Sequence, residues 1–507
     1  MINTREEKGL PRLGWIGIID KASVGVRVIH GPDVDIGHHF IVEGVWDGDF
    51  SDGNFHTSDN FFGSGLRVDT DGVWLVPSTA LVDRLLLAED DTRYYASNSL
   101  VCLMAYLGAE PDPENNYKKQ ADAILSGVND YDPVFPVNHH QISHFRQIFY
   151  HAVNINGEGQ HQTPRAASHP FQSFEHYQNR LRQSLQAIRK NSRNKARRKP
   201  LLAYTTISRG YDSTATTVLT RDLAITKAFT SRRSSSGIPA WLSPNAAIDD
   251  GSHIARQLGL DIGYLDYNPK DIGEDEPLFI CPSPAEPELA FYRACREIRN
   301  NDQPSIMFTG YHGDKLWCRS PGAKYLDSAI IRGDTSGMNL SEARLESGFI
   351  NVPVPFMYAS EIASLNRISN ASEMSPWSVP GDYDRPIPRR IAEEAGVPRA
   401  DFGTRKKAVI SFQNLPVNQA CRQQFLDFLE DQFGITASEV FLHTRFETVW
   451  FLTRKAIVKL LAKAGLPVTE PLSRSNLDLP YKMHLWALHH QVDARKRDLE
   501  SGSQPHD

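Results

Sequence analysis

One stretch of the chain combines a strand, a tight turn, hydroxyl groups and a carboxylate in an order that suits phosphate binding. The apolar run from Ala203 to Ile207 leads into a Ser-x-Gly turn and then into the start of a helix. A helix N-terminus has unpaired N–H groups and a dipole that favours anions, so phosphate is its natural ligand. The candidate ligands for phosphate are Ser208, Arg209, Gly210, Tyr211, Asp212, Ser213 and Thr214. Asp212 is also a candidate Mg²⁺ ligand. The alternative is an ordinary strand–turn–helix junction with capping side chains.

A second polar loop, Thr309 to Leu316, follows another buried-type strand at 305–309. In a parallel sheet the carboxyl ends of the strands lie on one edge, so Asp314 and Gly310 are expected near Asp212. Two carboxylates there favour a Mg²⁺ ion that bridges triphosphate oxygens. The alternative is a Gly-rich turn in which Asp314 only caps the helix that follows.

The elements that must position these loops are read from the hydrophobic pattern. From residue 201 onward, predicted strands at 201–207, 223–230, 261–267 and 305–309 alternate with helical segments. This alternation favours α/β architecture with a doubly wound parallel sheet and helices on both faces. Residues 14–108 instead show short alternating runs with Asp-Gly turns, which indicates a β-rich N-terminal domain.

We therefore predict four regions. Residues 1–185 form the β-rich domain, and seven basic residues lie in a solvated linker at 186–200. Residues 201–470 form the parallel-sheet domain with a helical C-terminal part. Residues 471–507 form a C-terminal helix and a disordered tail.

Composition bounds the function classes. The chain has 507 residues, 40% hydrophobic and 23% charged, with a formal net charge of −6. This acidic balance disfavours nucleic-acid binding, and no apolar run approaches the roughly 20 residues that span a bilayer. The five cysteines have no CxxC spacing, and residues 1–8 have no apolar signal core. Both features predict a cytoplasmic protein with reduced thiols.

The first loop resembles the Ser-Gly-Gly-x-Asp-Ser pyrophosphate loop (PP-loop) of the ATP pyrophosphatases, with Arg209 in place of the first glycine. The second loop resembles the Gly-Glu-Gly-x-Asp-Glu motif of asparagine synthetases. Tyr311 stands at its glutamate position, as in the β-lactam synthetases, where that tyrosine belongs to a Tyr-Glu catalytic dyad. Residues 352–357 are similar to the family's Val-Arg-Val-Pro-Phe-Leu-Asp, with Pro353 replacing the arginine, Tyr358 replacing the aspartate and Asn351 replacing the preceding glutamate.

The segment from Arg385 to Lys407 resembles the one that ends in the family's synthetase lysine, which by this register is Lys407. Residues 85–97 are similar to a strand–turn–strand of the family's glutaminase domain. The resemblance therefore implies an Ntn-hydrolase-like (αββα) N-terminal domain. This domain is degenerate, because the chain has no cysteine before Cys102 to hydrolyse glutamine.

The resemblance implies an AMP-forming amide synthetase, a ligase that uses ATP and Mg²⁺. It adenylates a small carboxylic acid and then joins it to an amine, to ammonia, or intramolecularly. Asp212 and Asp314 hold the metal, and Lys407 stabilises the pyrophosphate and the adenylate. Tyr311 accepts a proton, and by spacing Glu346 is its nearest carboxylate partner, followed by Glu342. A phenol with a pKa of about 10 needs such a partner to act as a base.

Three alternatives remain open. The chain makes asparagine or another amide with ammonia from elsewhere, or it is a degenerate member that binds nucleotide or a partner without catalysis. A tRNA-modifying PP-loop enzyme is disfavoured by the net charge. The assembly is open between a monomer and a homodimer.

Overall fold

The structure is a computed structural model that describes residues 2–23, 25–165, 170–232, 249–381, 383–403, 413–446 and 477–502. The expectation of a mixed α/β chain is confirmed. The strands of the N-terminal half are β1 (Ile2–Glu6), β2 (Trp15–Asp20), β3 (Val26–His30), β4 (Asp35–Ile36), β5 (Phe40–Trp46), β6 (Phe61–Asp69), β7 (Gly72–Val76), β8 (Leu85–Glu89), β9 (Arg93–Ser97), β10 (Glu110–Pro111), β11 (Val134–Asn138), β12 (His144–Ile148), β13 (Ala152–Asn156) and β14 (Gly159–Thr163). Its helices are α1 (Leu100–Leu107), α2 (Lys118–Asp122) and α3 (Phe174–Ser192).

These strands form two sheets that face each other. In the described part of the chain, one sheet has the order β1-β3-β2-β9-β8-β12-β11-β10 and the other the order β14-β13-β7-β6-β5-β4. Their neighbours pair antiparallel except β1 with β3. Apolar side chains from both inner faces, such as Ile19, Leu66 and Leu87, form a shared buried core. Helix α1 covers the outer face of the first sheet, and α3 lies against β5 of the second.

The C-terminal half is built on a parallel sheet. Its strands are β15 (Leu202–Thr206), β16 (Lys227–Thr230), β17 (Ile262–Tyr264), β18 (Ser305–Thr309) and β19 (Phe349–Pro353). Its helices are α4 (Tyr211–Thr220), α5 (Ser252–Gln257), α6 (Tyr292–Arg299), α7 (Gly313–Leu316), α8 (Ser341–Ser347), α9 (Ile362–Asn370), α10 (Pro386–Glu394), α11 (Gln419–Phe433), α12 (437–446) and α13 (Leu479–Gly502). Neighbouring strands pair in parallel in the order β17-β16-β15-β18-β19.

Successive strand residues point to opposite faces, so the parallel sheet has a core on each side. Ala203 and Ile306 pack with α4 and α5 in one core. Tyr204 and Met307 pack with α6 and α8 in the other. In the sheet, β15 and β18 are neighbours although about a hundred residues separate them in the chain. The order of the strands reverses between them, and such a switch point is where open α/β sheets bind ligands.

The expected solvated linker at 186–200 is corrected. Helix α3 continues to Ser192, and Arg189 and Arg197 are buried rather than solvated. The Arg197 guanidinium donates to the Asp35 carboxylate at 2.6 Å and to the backbone oxygen of Gly44 at 2.7 Å. A run of basic residues is solvated only when no buried acid lies within reach, and here β4 supplies one.

The region borders also differ from the expectation. The predicted C-terminal helix within 471–507 is present as α13. It does not form a region of its own, because it packs against α1 of the N-terminal half and shares its core through Trp486 and Leu488. The disordered tail expected at 501–507 begins too early, because α13 continues to Gly502. Residues 447–476 and 503–507 lie outside the described residues.

Candidate active site

The two polar loops meet at the switch point of the parallel sheet. The strands that precede them, β15 and β18, pair in parallel from Leu202 with Ser305 to Thr205 with Phe308. A methyl group added at Gly313 would lie 2.5 Å from Cγ of Asp212, and one added at Gly310 would lie 2.9 Å from the backbone nitrogen of Ser213. Both distances are too short for any side chain. Glycine at these positions therefore lets the second loop rest directly on the first turn of α4.

The first loop is braced by its own hydroxyl groups. Ser208 Oγ accepts the N–H of Gly210 at 3.0 Å, and Ser213 Oγ accepts the N–H of Ser208 at 3.0 Å. The two hydroxyls lie 2.9 Å apart, and Thr214 Oγ1 donates to the backbone oxygen of Ser208 at 3.0 Å. Gly210 precedes α4 in an extended conformation with no side-chain cap on the helix. The sequence-predicted loop residues thus form one compact turn at a helix N-terminus.

Arg209 is accommodated at the position where the related motif has glycine. Its backbone N–H donates to Asp249 at 3.3 Å, and its Nε donates to the backbone oxygen of Asp401 at 3.1 Å. The N–H of Gly403 in turn donates to the backbone oxygen of Arg209 at 2.9 Å. The segment that leads toward Lys407 therefore touches the first loop. Lys407 itself lies outside the described residues.

Asp212 forms an ion pair with Arg385, at the N-terminus of α10. Arg385 is 5% exposed, and its guanidinium lies 4.6 Å from the ring centroid of Tyr383. Burial lowers the pKa of Arg385, but the charge and hydrogen bond of Asp212, together with Tyr383 and Asp314, outweigh burial and raise that pKa above its ordinary value. Asp314 acts on Arg385 in the same direction. The two acidic side chains thus share one electrostatic environment, and a buried cationic group already occupies it.

Tyr311 hydrogen-bonds to a carboxylate that no sequence signal singled out. Its hydroxyl donates to Glu288 Oε2 at 3.1 Å, and Glu288 Oε1 accepts the N–H of Gly337. Burial raises the pKa of Glu288 to about 7 and raises that of Tyr311 well above its usual value. Glu288 lies 23 residues before Tyr311, ahead of α6, so only the packing of α6 beside β18 brings the two together. A neutral phenol bonded to a carboxyl that titrates near pH 7 is suited to moving a proton.

The expectation that Glu346 partners Tyr311 is corrected. Glu346 accepts hydrogen bonds from Arg299 at 2.6 Å and from Arg495 at 3.0 Å. Both contacts lie on the side of α8 that faces α6 and α13. The second choice, Glu342, accepts bonds from Ser99 Oγ at 2.6 Å and from the N–H of Leu100 at 2.8 Å, at the N-terminus of α1. Spacing along the chain misled because it carries no information on which face of α8 each side chain occupies.

The same loop carries an unusual histidine. His312 has a positive φ of 71° and caps α7. Its ring stacks on Phe356 with the centroids 4.4 Å apart. Burial lowers the pKa of His312 to about 3, so its imidazole is neutral at physiological pH. The Asn351 side chain, at the position where the related motif has glutamate, accepts a bond from Thr309 Oγ1 at 2.9 Å and so braces the end of β18.

The N-terminal half closes one side of this site. Arg332 donates through Nη1 to the backbone oxygen of Leu81 at 2.5 Å and through Nη2 to that of Ser336 at 2.6 Å. Gly337, with φ of 90°, approaches Val82 and the ring of Tyr311. The dyad of Tyr311 and Glu288 therefore lies at the boundary of the two halves.

Comparisons with known proteins do not assign this site. No protein-family model matches the chain, and no curated protein is significantly similar to it. Within the described ranges, no cluster of three or more His, Cys, Asp or Glu side chains forms a ready metal site. In the same part of the chain, no helix combines the length and apolarity needed to cross a membrane.

Proposed function

We propose that the protein is an ATP-dependent, AMP-forming amide synthetase of the asparagine synthetase and β-lactam synthetase type. The observation that carries this proposal is the direct contact of two acidic loops at the switch point of a parallel sheet. We extend the proposal to the fold families: a PP-loop synthetase domain, preceded by a degenerate Ntn-hydrolase-like domain. Two facing sheets with helices outside them support the latter.

In the first half-reaction, the substrate carboxylate attacks the α-phosphorus of ATP and pyrophosphate leaves. The N–H groups at the start of α4 and the braced hydroxyls of Ser208 and Ser213 receive the phosphates. Asp212 and Asp314 would hold Mg²⁺, which supplies charge neutralisation for the leaving pyrophosphate. Arg385 shows that a cation can lie on Asp212, but Mg²⁺ would have to displace its guanidinium from that carboxylate. We assign Lys407 to the same phosphates, from the motif alone.

In the second half-reaction, an amine attacks the acyl carbon, AMP leaves, and the nitrogen loses a proton. Tyr311 accepts that proton while its own hydroxyl proton passes to Glu288 Oε2, so neither step leaves a phenolate. The high pKa of Tyr311 prevents it from holding a negative charge, whereas the pKa of about 7 at Glu288 lets this carboxylate receive the proton. This dyad replaces the Tyr311–Glu346 pair expected from spacing.

Pyrophosphate release tests the first half-reaction. The purified chain is mixed with Mg-ATP and a panel of carboxylic acids, with ammonia or simple amines as acceptors. We expect release with at least one acid and a loss of at least a hundredfold in Asp212→Asn. Asp222→Asn is the matched control, because Asp222 is an exposed acid just past the end of α4. The proposal fails if no acid promotes release, or if both variants behave alike.

A second candidate is a nucleotide-binding member without catalysis. It is favoured by the Arg385–Asp212 ion pair, which competes with a metal for the same carboxylate, and by Pro353 and Asn351 at motif positions. It predicts tight ATP binding with no pyrophosphate release from any acid, and equilibrium dialysis alongside the release assay separates the two. The panel of acids includes aspartate with ammonia, so the same assay also tests asparagine formation. A small-molecule acid and amine as substrates, a cytoplasmic location and the absence of nucleic-acid partners remain predictions.

A further inference from the structure

A cleft of about 260 Å³ lies between the two halves of the molecule, apart from the acidic loops. Its walls include His56, Trp74, Tyr150 and Arg165 of the N-terminal half and Phe356 and Tyr358 of the C-terminal half. The Phe356 ring also stacks on the His312 ring, so this side chain contacts both the cleft and the second loop. None of the nucleotide chemistry proposed above uses this cleft.

Arg165 brings a positive charge to the wall of the cleft. Its Nε donates to the backbone oxygen of Tyr150 at 2.7 Å, and its two terminal nitrogens donate to those of Ser58 at 2.7 Å and Pro77 at 3.3 Å. No ion pair to Arg165 occurs in the described part of the chain. Two of its five N–H donors remain for a ligand. Backbone oxygens orient a guanidinium but do not neutralise it.

The nearby acids are already engaged elsewhere. Asp59, which also lines the cleft, pairs with Arg180 at 3.0 Å. Asp47 accepts bonds from the Asn60 amide at 2.8 Å and from Ser184 Oγ at 2.9 Å. Asp47 does not line the cleft, and it attracts Arg165 without a direct contact. Among the charged side chains that line the cleft, Asp59 is paired with Arg180, whereas the guanidinium of Arg165 makes no ion pair within the described residues, so the positive charge at this wall favours an anionic ligand.

The remaining walls favour a flat apolar body. Tyr150 and Tyr358 both have left-handed backbones, with φ of 60° and 64°. Such conformations are unfavourable for residues with side chains, and they cluster at functional sites. They present two aromatic rings to one cleft. His56 lies 5.5 Å from the Trp74 ring, its pKa is lowered by burial, and its Nδ1 is buried with no hydrogen-bond partner.

We infer that this cleft binds a small aromatic carboxylic acid, whose carboxylate pairs with Arg165 and whose ring lies among the aromatic walls. The volume corresponds to about nine water molecules, which suits a single substituted ring. This site is distinct from the adenylation site, and its ligand binds with no nucleotide present.

Isothermal titration of the full chain with benzoate, without nucleotide, tests the inference. We expect one benzoate per chain, and at least tenfold weaker binding of benzamide, which has the same shape without the charge. Arg165→Gln weakens benzoate binding at least tenfold. Arg146→Gln is the matched control, because Arg146 is a half-buried arginine on β12 whose donors reach only the Gln160 and Gln162 amides. This control stays within twofold of the native chain.

A second variant keeps the test decisive if Arg165→Gln unfolds. Ala152→Leu fills the cleft from β13 without removing the charge, and we expect it to weaken benzoate at least tenfold. The inference is overturned if the native chain binds no benzoate, if benzamide binds equally well, or if Ala152→Leu leaves the affinity unchanged. Because no nucleotide is present, these outcomes are independent of pyrophosphate release.

Discussion

Replacing Glu288 by glutamine separates the two half-reactions of the proposed synthetase. The glutamine keeps the size of the side chain and a hydrogen bond to Tyr311, but it cannot accept a proton. We therefore expect amide formation to fall by a factor of about 10²–10⁴, the usual contribution of a general base. The adenylation step, measured as exchange of labelled pyrophosphate into ATP, does not use this carboxylate and should stay within about threefold.

The pH dependence follows from the raised pKa of Glu288. With a pKa of about 7, the carboxyl is about one-tenth ionised at pH 6 and almost fully ionised at pH 8. Since only the ionised form accepts the proton, amide formation by the native chain should rise about tenfold from pH 6 to pH 8 and then level off. This rise with pH should be absent in Glu288→Gln. The assay is single-turnover amide formation from acid and amine that support pyrophosphate release.

Glu346→Gln is the control that decides between the structure and the expectation from spacing. Glu346 is held by Arg299 and Arg495, away from Tyr311. The Glu346→Gln variant should therefore form the product amide at nearly the native rate and with the same rise from pH 6 to pH 8. The reasoning is refuted if Glu346→Gln abolishes amide formation, or if Glu288→Gln retains both the rate and the rise with pH.

Three further predictions concern the loops and the boundary between the halves. Gly313→Ala places a methyl group into the Asp212 carboxyl and should reduce ATP binding at least tenfold by equilibrium dialysis, whereas Gly157→Ala meets nothing within 4 Å and should leave it unchanged. Arg344→Met leaves two buried carboxylates of the N-terminal half without their cation. It should lower the free energy of unfolding, measured by urea denaturation, by about 3–5 kcal/mol, and a loss below about 1 kcal/mol would show that the ion pair is not needed. Arg197→Met should cost a similar amount, while exposed Arg193→Met should stay within about 0.5 kcal/mol, and equal effects of the two would contradict the burial argument.

The buried ion network behind the second prediction shows why the two halves act as one unit. Arg344 on α8 donates to both oxygens of Glu43 on β5, at 2.9 Å and 3.1 Å, and to Asp83 at 2.5 Å. All three side chains are buried. Glu43 also accepts a bond from Ser64 at 2.7 Å. Because one arginine of the C-terminal half holds two buried carboxylates of the N-terminal half, this network joins the two halves.

Local features of the sequence predicted local structure well. The apolar run before Ser208 and the polar residues after Gly210 determine a strand, a turn and a helix within some fifteen residues, and the structure has β15 and α4 there. Helix α1 also has residues at both ends that act locally, because the Ser99 side chain caps its N-terminus and Gly108, at φ of 69°, ends it. In these cases the residues that decide the conformation are neighbours in the chain. The predicted strand at 223–230 begins too early, because β16 starts only at Lys227 and the residues before it form a turn.

What only the tertiary structure decided are the pairings between distant residues. By itself the sequence determined the local elements and, through strand–helix alternation, a parallel sheet that places Asp212 and Asp314 on one edge. It did not determine that Glu288 rather than Glu346 meets Tyr311, that Arg385 lies on Asp212, or that Arg197 is buried. The physical reason is that side chains repeat their direction every two residues in a strand and every 3.6 residues in a helix, so a local element shows in the pattern of neighbouring residues. A buried ion pair depends instead on which helix faces pack together, and a single sequence carries no periodic signal for that contact.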